Sequence, residues 1–300
     1  MEIRQLEHFL AVIEQGSLGR AAEALNISEP GLSKSIRRLE DSLQIRLLDR
    51  GTRGMTPTLF GESLATHARL IRNEVDHARS ELSELQGVSK GIVRIGARPS
   101  FGTVILPRAI AQLQNKRPGV RAIVREGMMS NMIVEVLHGD LDFIVVTLSD
   151  QTPDDDLIQE SLIDSPVSIV ARAGHPFGNQ NPLSPDALAE MPWILPLGSD
   201  PVRQKLEEML AKCGIEKINV LVESDSVQFI MEYLRETDAI GFFPEPMIMR
   251  SRIKEDFAIL DVKELKWQRQ LGIIRRKRTS LTPAALLLVQ ELKILCEHSS

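Results

Sequence analysis

Apolar and polar positions repeat with helical spacing along the first sixty residues of the chain. Residues 18–25 are strong helix formers with small side chains, and Ser17 before them is a residue type whose hydroxyl caps helix N-termini. A turn at 26–27 follows, then Ser28 as a second cap, with Pro30 in the first turn of the next helix. The pattern predicts a helix-turn-helix.

The second of these helices has two faces of different chemistry. Its apolar residues recur at spacings of four, three and four and predict one buried stripe: Leu32, Ile36, Leu39 and Leu43. Ser33, Lys34 and Arg37 face the other way, and their groups suit phosphates and guanine edges in a DNA major groove. The alternative is an ordinary amphipathic helix with a solvated charged face.

A basic hairpin is predicted at 47–57. Gly51 and Gly54 allow a tight turn, so Arg50 and Arg53 can reach a phosphate backbone or an adjacent minor groove. The alternative is that both arginines are solvated loop charges. A hairpin beside a helix-turn-helix predicts a winged DNA-binding domain.

A long helix is predicted next, with Thr56 as its cap and Pro57 at its first position, since no further proline occurs before Pro99. Apolar residues alternate at spacings of four and three and predict a coiled-coil seam for dimerisation: Leu64, Ala68, Ile71, Val75, Ala78, Leu82 and Leu85. The alternative is that the seam packs against the chain's own second domain, because its alanines bury little area.

Beyond a polar hinge at 87–91, strands and helices alternate. Strands are predicted at 92–97, 120–126, 141–147, 167–171, 218–222, 239–243 and 271–276. Helices are predicted at 103–115, 130–139, 185–190, 201–212, 226–236 and 283–296. The alternation predicts right-handed crossovers, a mostly parallel sheet and two doubly wound lobes joined by two crossings.

The loop after the first of these strands predicts a binding site, because ligands of such sheets bind at the carboxyl ends of strands. A carboxylate or similar anion could be held there by the free N–H groups at a helix start and by the hydroxyls of Ser100 and Thr103. Gly102 would allow the backbone to approach the ligand closely. The alternative is that Ser100 is merely an N-cap. The glycine spacing fits neither a dinucleotide fingerprint nor a phosphate loop.

Composition limits the function. The 300 residues with 43% hydrophobic content predict two units and a connector, and the net charge of −5 requires DNA affinity to come from local clustering. Basic residues cluster between positions 34 and 53: Lys34, Arg37, Arg38, Arg46, Arg50 and Arg53. No signal peptide and no long apolar stretch is apparent, which predicts a cytoplasmic protein with no membrane partner.

No catalytic chemistry is expected. The histidines show no metal spacing, and no nucleophile, base and orienting residue form a motif. Cys213 and Cys296 are far apart, which excludes a disulfide framework and the usual zinc spacings. The sequence therefore predicts no enzyme, no cofactor and no metal.

The order of residues in the first sixty positions resembles that of the LysR-type transcriptional regulators. The resemblance rests on Phe9, Val12, Gly16, Ser17, Arg20, Ala21, Ala22, Leu25, Ser28, Pro30, Ser33, Ile36, Leu39, Glu40, Leu43, Leu47, Leu48, Arg50, Thr56 and Gly61. Family members usually carry Gln at Glu29, Gly at Gln44 and Phe at Leu48. We interpret the last two as mild packing changes, whereas the carboxylate of Glu29 either accepts from a cytosine amino group or is repelled by phosphate.

The resemblance implies an α+β multidomain fold: a winged helix-turn-helix (1–58), a linker helix and hinge (59–90), and an α/β effector domain like periplasmic binding proteins (91–300). Lobe I would cover about 91–163 and 268–300, and lobe II about 164–267. DNA-binding residues are expected to be Ser17, Arg20, Ser28, Glu29, Pro30, Ser33, Lys34, Arg37, Arg50 and Arg53. Effector-binding residues are expected to be Arg98, Ser100, Phe101, Gly102, Thr103, Met128, Met129, Ser130, Thr147, Ser199, Pro201, Phe243 and Pro244.

The function expected from these features is that of a DNA-binding transcriptional regulator. A small organic anion with an apolar body would bind between the lobes and change how paired heads, in a homodimer or homotetramer, meet an operator and RNA polymerase. Arg98 would add positive charge to the cleft and Asp200 would subtract it. The alternatives are a thiol redox sensor using Cys213 and Cys296, and a cytosolic solute-binding module with an incidental helical head.

Overall fold

The computed structural model describes residues 1–51, 54–85, 91–98, 105–149, 152–178, 182–249 and 254–297. Its helices are α1 (Ile3–Gln15), α2 (Leu18–Ala24), α3 (Glu29–Leu43), α4 (Leu59–Leu85), α5 (Ile105–Lys116), α6 (Met129–His138), α7 (Asp186–Ala189), α8 (Pro201–Lys212), α9 (Val227–Glu236), α10 (Glu245–Met249) and α11 (Pro283–Glu297). Its strands are β1 (Leu48–Gly51), β2 (Gly54–Pro57), β3 (Gly91–Ala97), β4 (Val120–Glu126), β5 (Phe143–Thr147), β6 (Leu157–Arg172), β7 (Pro192–Leu195), β8 (Asn219–Glu223), β9 (Gly241–Pro244), β10 (Phe257–Leu260) and β11 (Trp267–Arg276).

Residues 1–58, called the head below, fold as a helix-turn-helix with a two-stranded wing. Asn26 takes a left-handed backbone (φ 54°) in the turn, and the Ser28 hydroxyl accepts the amide N–H of Gly31 at 3.3 Å, as the sequence predicts. The expected cap at Ser17 is wrong in one respect. Ser17 holds the N-cap position, but its side chain accepts no cap hydrogen bond; the helix starts instead from its carbonyl, which accepts from Ala21 N–H at 3.0 Å.

Hydrogen bonds from backbone N–H groups of the wing and the segment before it fix the wing to the helices. Glu40 Oε1 accepts the amide N–H groups of Leu47 and Leu48 at 2.7 and 3.2 Å, so α3 holds the start of β1. Met55 N–H donates to Gly16 O at 2.9 Å. At Gly54 (φ +102°) a Cβ would lie 2.4 Å from Gly16 O, so only glycine fits there.

The long helix begins later than predicted. Thr56 and Pro57 pair with β1 inside the hairpin, so neither caps a helix. The cap is Thr58, whose hydroxyl accepts Gly61 N–H at 3.1 Å and donates to Arg46 O at 2.9 Å. The hairpin register therefore moves the helix start to Leu59.

The predicted seam on α4 is partly used within the chain. Ala68 is fully buried in the head's hydrophobic core, and Leu64 and Ile71 pack against the same core. The prediction that Ala68 contacts a second subunit is therefore wrong, because α4 crosses α1 at this point. Ala78 and Leu82 are exposed, Val75 is half-buried, and the side chain of Leu85 lies outside the described part of the chain.

The part of the chain after α4 contains a mixed sheet, which corrects the predicted mostly parallel one. Its strand order is β10-β6-β11-β5-β3-β4, with β9 also paired to β6, while β7 and β8 form a separate parallel pair. Only the β3-β4 and β3-β5 contacts of the large sheet are parallel. The long strands β6 and β11 run antiparallel to each other and carry the chain between the two lobes.

Each lobe has its own hydrophobic core. In lobe I, β3, β5, α5 and α11 pack around fully buried residues such as Val93, Ile95 and Leu288. In lobe II, β6, β7 and α8 enclose Trp193 and Leu206. Strands β6 and β11 pass from one core to the other, and the region between the lobes at this crossing is called the cleft below.

Candidate functional site

A groove of about 660 Å³ runs between α3 and the wing. Ser33 and Arg37 line it from the helix, and Arg50 lines it from β1. Both arginines are exposed and Ser33 is half-buried. Acidic side chains also line the groove: Glu40, Asp41 and Asp49. Contacts with a phosphate backbone and base edges therefore depend on the individual Ser33, Arg37 and Arg50 side chains and not on a net positive charge.

The other predicted DNA-binding residues lie on the surface around this groove. Those that are exposed are Arg20, Ser28, Glu29, Pro30 and Lys34. Ser17 is half-buried, and Arg53 lies outside the described residues. A Cβ built at Gly19 would lie 3.3 Å from Glu29 Oε2, which places this carboxylate beside the first turn of α2. A negative charge is favourable at a helix N-terminus, so this position of the Glu29 carboxylate suits the start of α2.

An ion pair joins the two lobes across the cleft. Arg98, directly after β3, donates through its guanidinium to Asp200 Oδ2. Asp200 is the N-cap of α8, where its other oxygen accepts Val202 N–H at 2.8 Å. The side chains of Arg98 and Asp200 are 33% and 13% exposed, so water reaches the pair from the lobe I side.

A buried polar pair lies on the crossing strands. Arg269 of β11 faces Ser165 of β6 in the antiparallel register, and only 2% and 3% of their surfaces are exposed. Directly opposed residues project from the same face of a sheet. The neighbouring pair Leu271 and Ile163 packs in the lobe I core, and Trp267 and Val167 pack in the lobe II core. Arg269 and Ser165 therefore lie between the two cores, where the chain crosses from one lobe to the other.

The charges of the Arg98–Asp200 ion pair act on the buried Arg269. Burial lowers the pKa of Arg269 to about 10; the charge of Asp200 opposes this shift and that of Arg98 adds to it. Arg269 remains a cation at neutral pH because that value is still well above 7. These three groups, two guanidinium groups and one carboxylate, together carry one net positive charge.

The other predicted cleft residues have mixed positions. Met128 and Ser130, at the start of α6, are exposed, Met129 and Thr147 are half-buried, and Ser199 and Pro201 are exposed beside Asp200. Phe243 and Pro244 are buried, and Phe243 packs in a lobe II core cluster with Ile230 and Leu234. The expectation that Phe243 contacts an effector is wrong, because its strand β9 pairs with β6 and turns this ring inward. Ser100, Phe101, Gly102 and Thr103 lie outside the described residues.

The remaining reactive side chains serve the fold. His175 Nδ1 accepts Phe177 N–H at 3.3 Å, so Nε2 carries the proton donated to Asp238 O at 3.2 Å. Cys213 packs in the lobe II core and Cys296 in the lobe I core. Among the described residues, no group of three metal-ligating side chains occurs and no helix is long and apolar enough to cross a membrane.

Comparison with known proteins identifies both parts of the chain. Residues 3–62 match the family of bacterial regulatory helix-turn-helix proteins of the lysR family, and residues 86–296 match the LysR substrate binding domain. The chain belongs to the LysR family of transcriptional regulators. The predicted fold class, a winged helix-turn-helix followed by a linker helix and a two-lobed α/β domain, is thereby confirmed.

Several LysR relatives match over nearly the whole length. The SDS degradation transcriptional activation protein of a Pseudomonas strain is 30% identical over 288 residues, covering 95% of this chain and 93% of that protein. PcaQ of Agrobacterium fabrum is 28% identical over 293 residues, covering 98% and 94%. Among solved structures, full-length OxyR of Pseudomonas aeruginosa has a TM-score of 0.74 at 20% identity, covering 98% and 95%. CbnR in complex with its target DNA has a TM-score of 0.68 at 18% identity, covering 98% and 99%.

Two cleft residues of this LysR regulator, Arg269 and Ser165, are not predicted from the sequence. Both lie outside the predicted strands, which cover residues 167–171 and 271–276. A signal was present: Arg269 stands two positions from Trp267 and two from Leu271, which is the spacing of one strand face. A lone charge on an otherwise apolar strand face indicates a buried polar site.

Proposed function

We propose that this LysR-family regulator reads duplex DNA with the groove between α3 and the wing. The observation that supports this most directly is that Ser33, Arg37 and Arg50 line one groove from two elements. Arg37 is proposed to contact a guanine edge, and Lys34, which is exposed one turn away, is proposed to contact a phosphate. The alternative is that the charged face of α3 is only solvated. That alternative does not explain why Arg50 of the wing lines the same groove.

DNA binding to the region upstream of the protein's own gene tests these roles. Arg37→Ala should weaken binding about 10- to 100-fold, equivalent to about 1–3 kcal/mol, and should relax the preference at one base pair. Lys34→Ala should lower the slope of log affinity against log salt by about one. Arg278→Ala is the matched control, since Arg278 is an arginine whose side chain is 88% exposed in lobe I. Equal losses for all three variants would contradict the proposal.

We infer that α4 pairs with a second copy through a face that keeps Ala78 and Leu82 of the predicted seam and adds Phe60 and His67. These four residues are exposed and lie on one side of the helix. Phe60 and Leu82 are 57% and 59% exposed and would supply the apolar contacts. Phe60→Asp should shift sedimentation toward the monomer, whereas Ala68→Ser, which changes a residue of the head core, should leave the subunit count unchanged.

We propose that the effector is an organic monoanion with an apolar body. Arg98, Asp200 and Arg269 together carry one net positive charge, and the buried Arg269 and Ser165 are side-chain donors located between Trp267 and Leu271. A monoanion neutralises this charge, whereas a di- or tricarboxylate leaves excess negative charge in a buried site. The Pseudomonas relative is named for degradation of SDS, which carries one anionic group on an apolar chain.

Thermal shift with benzoate, octanoate, succinate and citrate tests the proposed class. The two monocarboxylates should raise the melting temperature more than the others at equal concentration, by the linkage of binding to folding. Arg269→Met should remove that response while the protein remains folded, because a hydrophobic residue of similar volume tolerates burial. A response to citrate alone, or a full response in Arg269→Met, would exclude this site.

We propose that the protein acts in the cytoplasm, through its operator, its effector and RNA polymerase, without catalysing a reaction. The described cleft residues donate hydrogen bonds and carry charge, and they include no nucleophile aligned with a base. A thiol switch is not favoured, because Cys213 and Cys296 are held in the cores of different lobes. The wild-type protein and a Cys213→Ser, Cys296→Ser double variant should therefore bind DNA equally well, both before and after treatment with peroxide.

A further inference from the structure

Helix α6 extends from the edge of the cleft to the linker helix. Its first residue, Met129, follows β4 at the carboxyl edge of the parallel strands, where Arg98 also lies. Its last turn ends at His138 and Gly139, which face α4. Ten helical residues cover about 15 Å, so one rigid element reaches both places.

The linker helix docks on the turn that follows α6, residues 138–142, which we call the corner. The α4 residues involved are spaced by three and four positions and form one stripe: Thr66, Arg69, Asn73 and His77. Asn73 Nδ2 donates to Gly139 O, and Thr66 Oγ1 lies 3.4 Å from His138 Nε2. His77 Nε2 lies 3.6 Å from Asp142 Oδ1.

Charge complements these hydrogen bonds. Asp140 lies 4.0 Å from Arg69 and 3.8 Å from Arg72. Arg72 also donates to Glu14 of α1 at 3.1 Å, so one guanidinium contacts the linker, the head and lobe I. None of these pairs is deeply buried, and each alone contributes little. As a set they fix the head and linker relative to the corner.

The corner is built for close approach. Gly139 takes φ +80°, and a Cβ there would lie 2.3 Å from Asn73 Nδ2. From the other side, Arg276 of β11 donates to Val136 O in the last turn of α6. Asp142 is anchored as well, since its Oδ2 accepts the amide N–H of Arg94, a residue of β3, at 2.7 Å. The surface that α4 contacts is therefore tied to strands β3 and β11, which border the cleft.

We propose that α6 and the corner couple the cleft to the head, and that Asn73, Arg69 and Arg72 act as positioning residues for the linker helix. A change in lobe closure that moves the start of α6 moves the corner with it, because the helix is short and its end is packed on both sides. The linker and the attached head then shift. This coupling rests on the proposed function of the cleft, but it requires no particular effector.

A double-mutant cycle on DNA affinity tests the coupling without a ligand. Arg98→Ala opens the ion pair between the lobes, and Asn73→Asp keeps the shape of the side chain but places a carboxylate against Gly139 O and Asp140. With full-length protein, Arg98→Ala should change the Kd for upstream DNA at least about fivefold in the wild-type background. In the Asn73→Asp background the same change should have less than about a twofold effect, because independent sites are additive and coupled ones are not.

Two further variants keep the cycle interpretable. Asp76→Asn replaces a carboxylate by an amide, the reverse of Asn73→Asp, at an exposed position of α4 outside the corner. The effect of Arg98→Ala on the Kd should be unchanged in this background. Asp140→Asn, which removes the charge facing Arg69 and Arg72, should reproduce Asn73→Asp more weakly. Hydrogen exchange of residues 129–142 should rise in Asn73→Asp and stay unchanged in Asp76→Asn.

The proposal is overturned if Arg98→Ala has the same effect in both backgrounds, if it has no effect in wild type, or if exchange at the corner is unchanged by Asn73→Asp. These outcomes differ from failure of the proposed function. Loss of anion binding concerns only the thermal shift experiment, and loss of DNA binding by the wild-type protein concerns only the groove.

Discussion

The head and the inter-lobe cleft are assembled in opposite ways. In the head, Ser28, Ser33, Arg37 and Arg50 come from one continuous stretch, and a single turn and hairpin bring them together. In the cleft, Arg98, Ser165, Asp200 and Arg269 come from four distant segments, joined by strand pairing and one ion pair. Local spacing therefore reveals the first site, whereas only the pairing of β6 with β11 creates the second.

The largest predicted difference between the two regions is the loss of stability when a glycine is replaced by alanine. At Gly61, where the linker helix leaves the head, a Cβ would lie 2.1 Å from Leu47 O, so Gly61→Ala should destabilise the head by about 3 kcal/mol. At Gly198, in the loop before Asp200, nothing lies within 4 Å, and Gly198→Ala should change stability by less than about 0.5 kcal/mol. Native-state hydrogen exchange measures both. Equal effects would mean that the head is not the more tightly packed region.

A smaller effect separates the two serine caps of the head. Ser28→Ala should cost about 1 kcal/mol, because its hydroxyl accepts Gly31 N–H. Ser17→Ala should cost less than about 0.5 kcal/mol, because the Ser17 side chain makes no cap hydrogen bond. Exchange of the first-turn amides of α3 and α2 distinguishes them. A larger loss at Ser17 would contradict the local geometry described above.

The smallest effect is a gain in stability. Gln44, the C-cap of α3, has φ +56°, a conformation that costs an L-residue about 1–2 kcal/mol relative to glycine. Its Nε2 donates to Asp41 O at 2.8 Å, which recovers part of that cost. Gln44→Gly should therefore stabilise the head by about 0.5 kcal/mol, whereas Gln44→Ala, which keeps the Cβ and loses the bond, should destabilise it. Thermal melting of the two variants, with wild type as reference, gives the sign.

This also corrects the interpretation of Gln44 as a mild packing change. The family glycine at this position answers a backbone requirement, and the exposed side chain of Gln44 has little packing to lose. From sequence, a polar residue at the end of a helix gives no direct sign of a left-handed backbone. The position of the Glu29 carboxylate beside α2 also cannot be predicted from the local sequence, because it depends on how α3 packs against α2 in the folded head.

The regular elements were predictable where capping and periodicity agree. Strand β4 and helix α8 have the predicted bounds, because Pro201 and Asp200 mark the start of α8 and the apolar residues of β4 fill a core edge. Strand β6 was predicted only in its second half. Its first half carries Glu160, which is stabilised by Arg275 Nε at 2.6 Å and Lys293 Nζ at 3.2 Å. These partners lie more than a hundred residues away in sequence, so the local pattern could not indicate the strand.

The central claim is that α3 and the wing contact duplex DNA, and site-directed cleavage tests it most directly. An iron chelate attached at Asp41→Cys, an exposed position of the groove that makes no proposed DNA contact, in a Cys213→Ser background, should cut the upstream DNA at discrete positions inside the protected region. The same chelate at Arg278→Cys, on an exposed position of lobe I, should cut weakly or not at all. Cleavage from Arg278→Cys with none from Asp41→Cys would contradict the assignment of the reading helix.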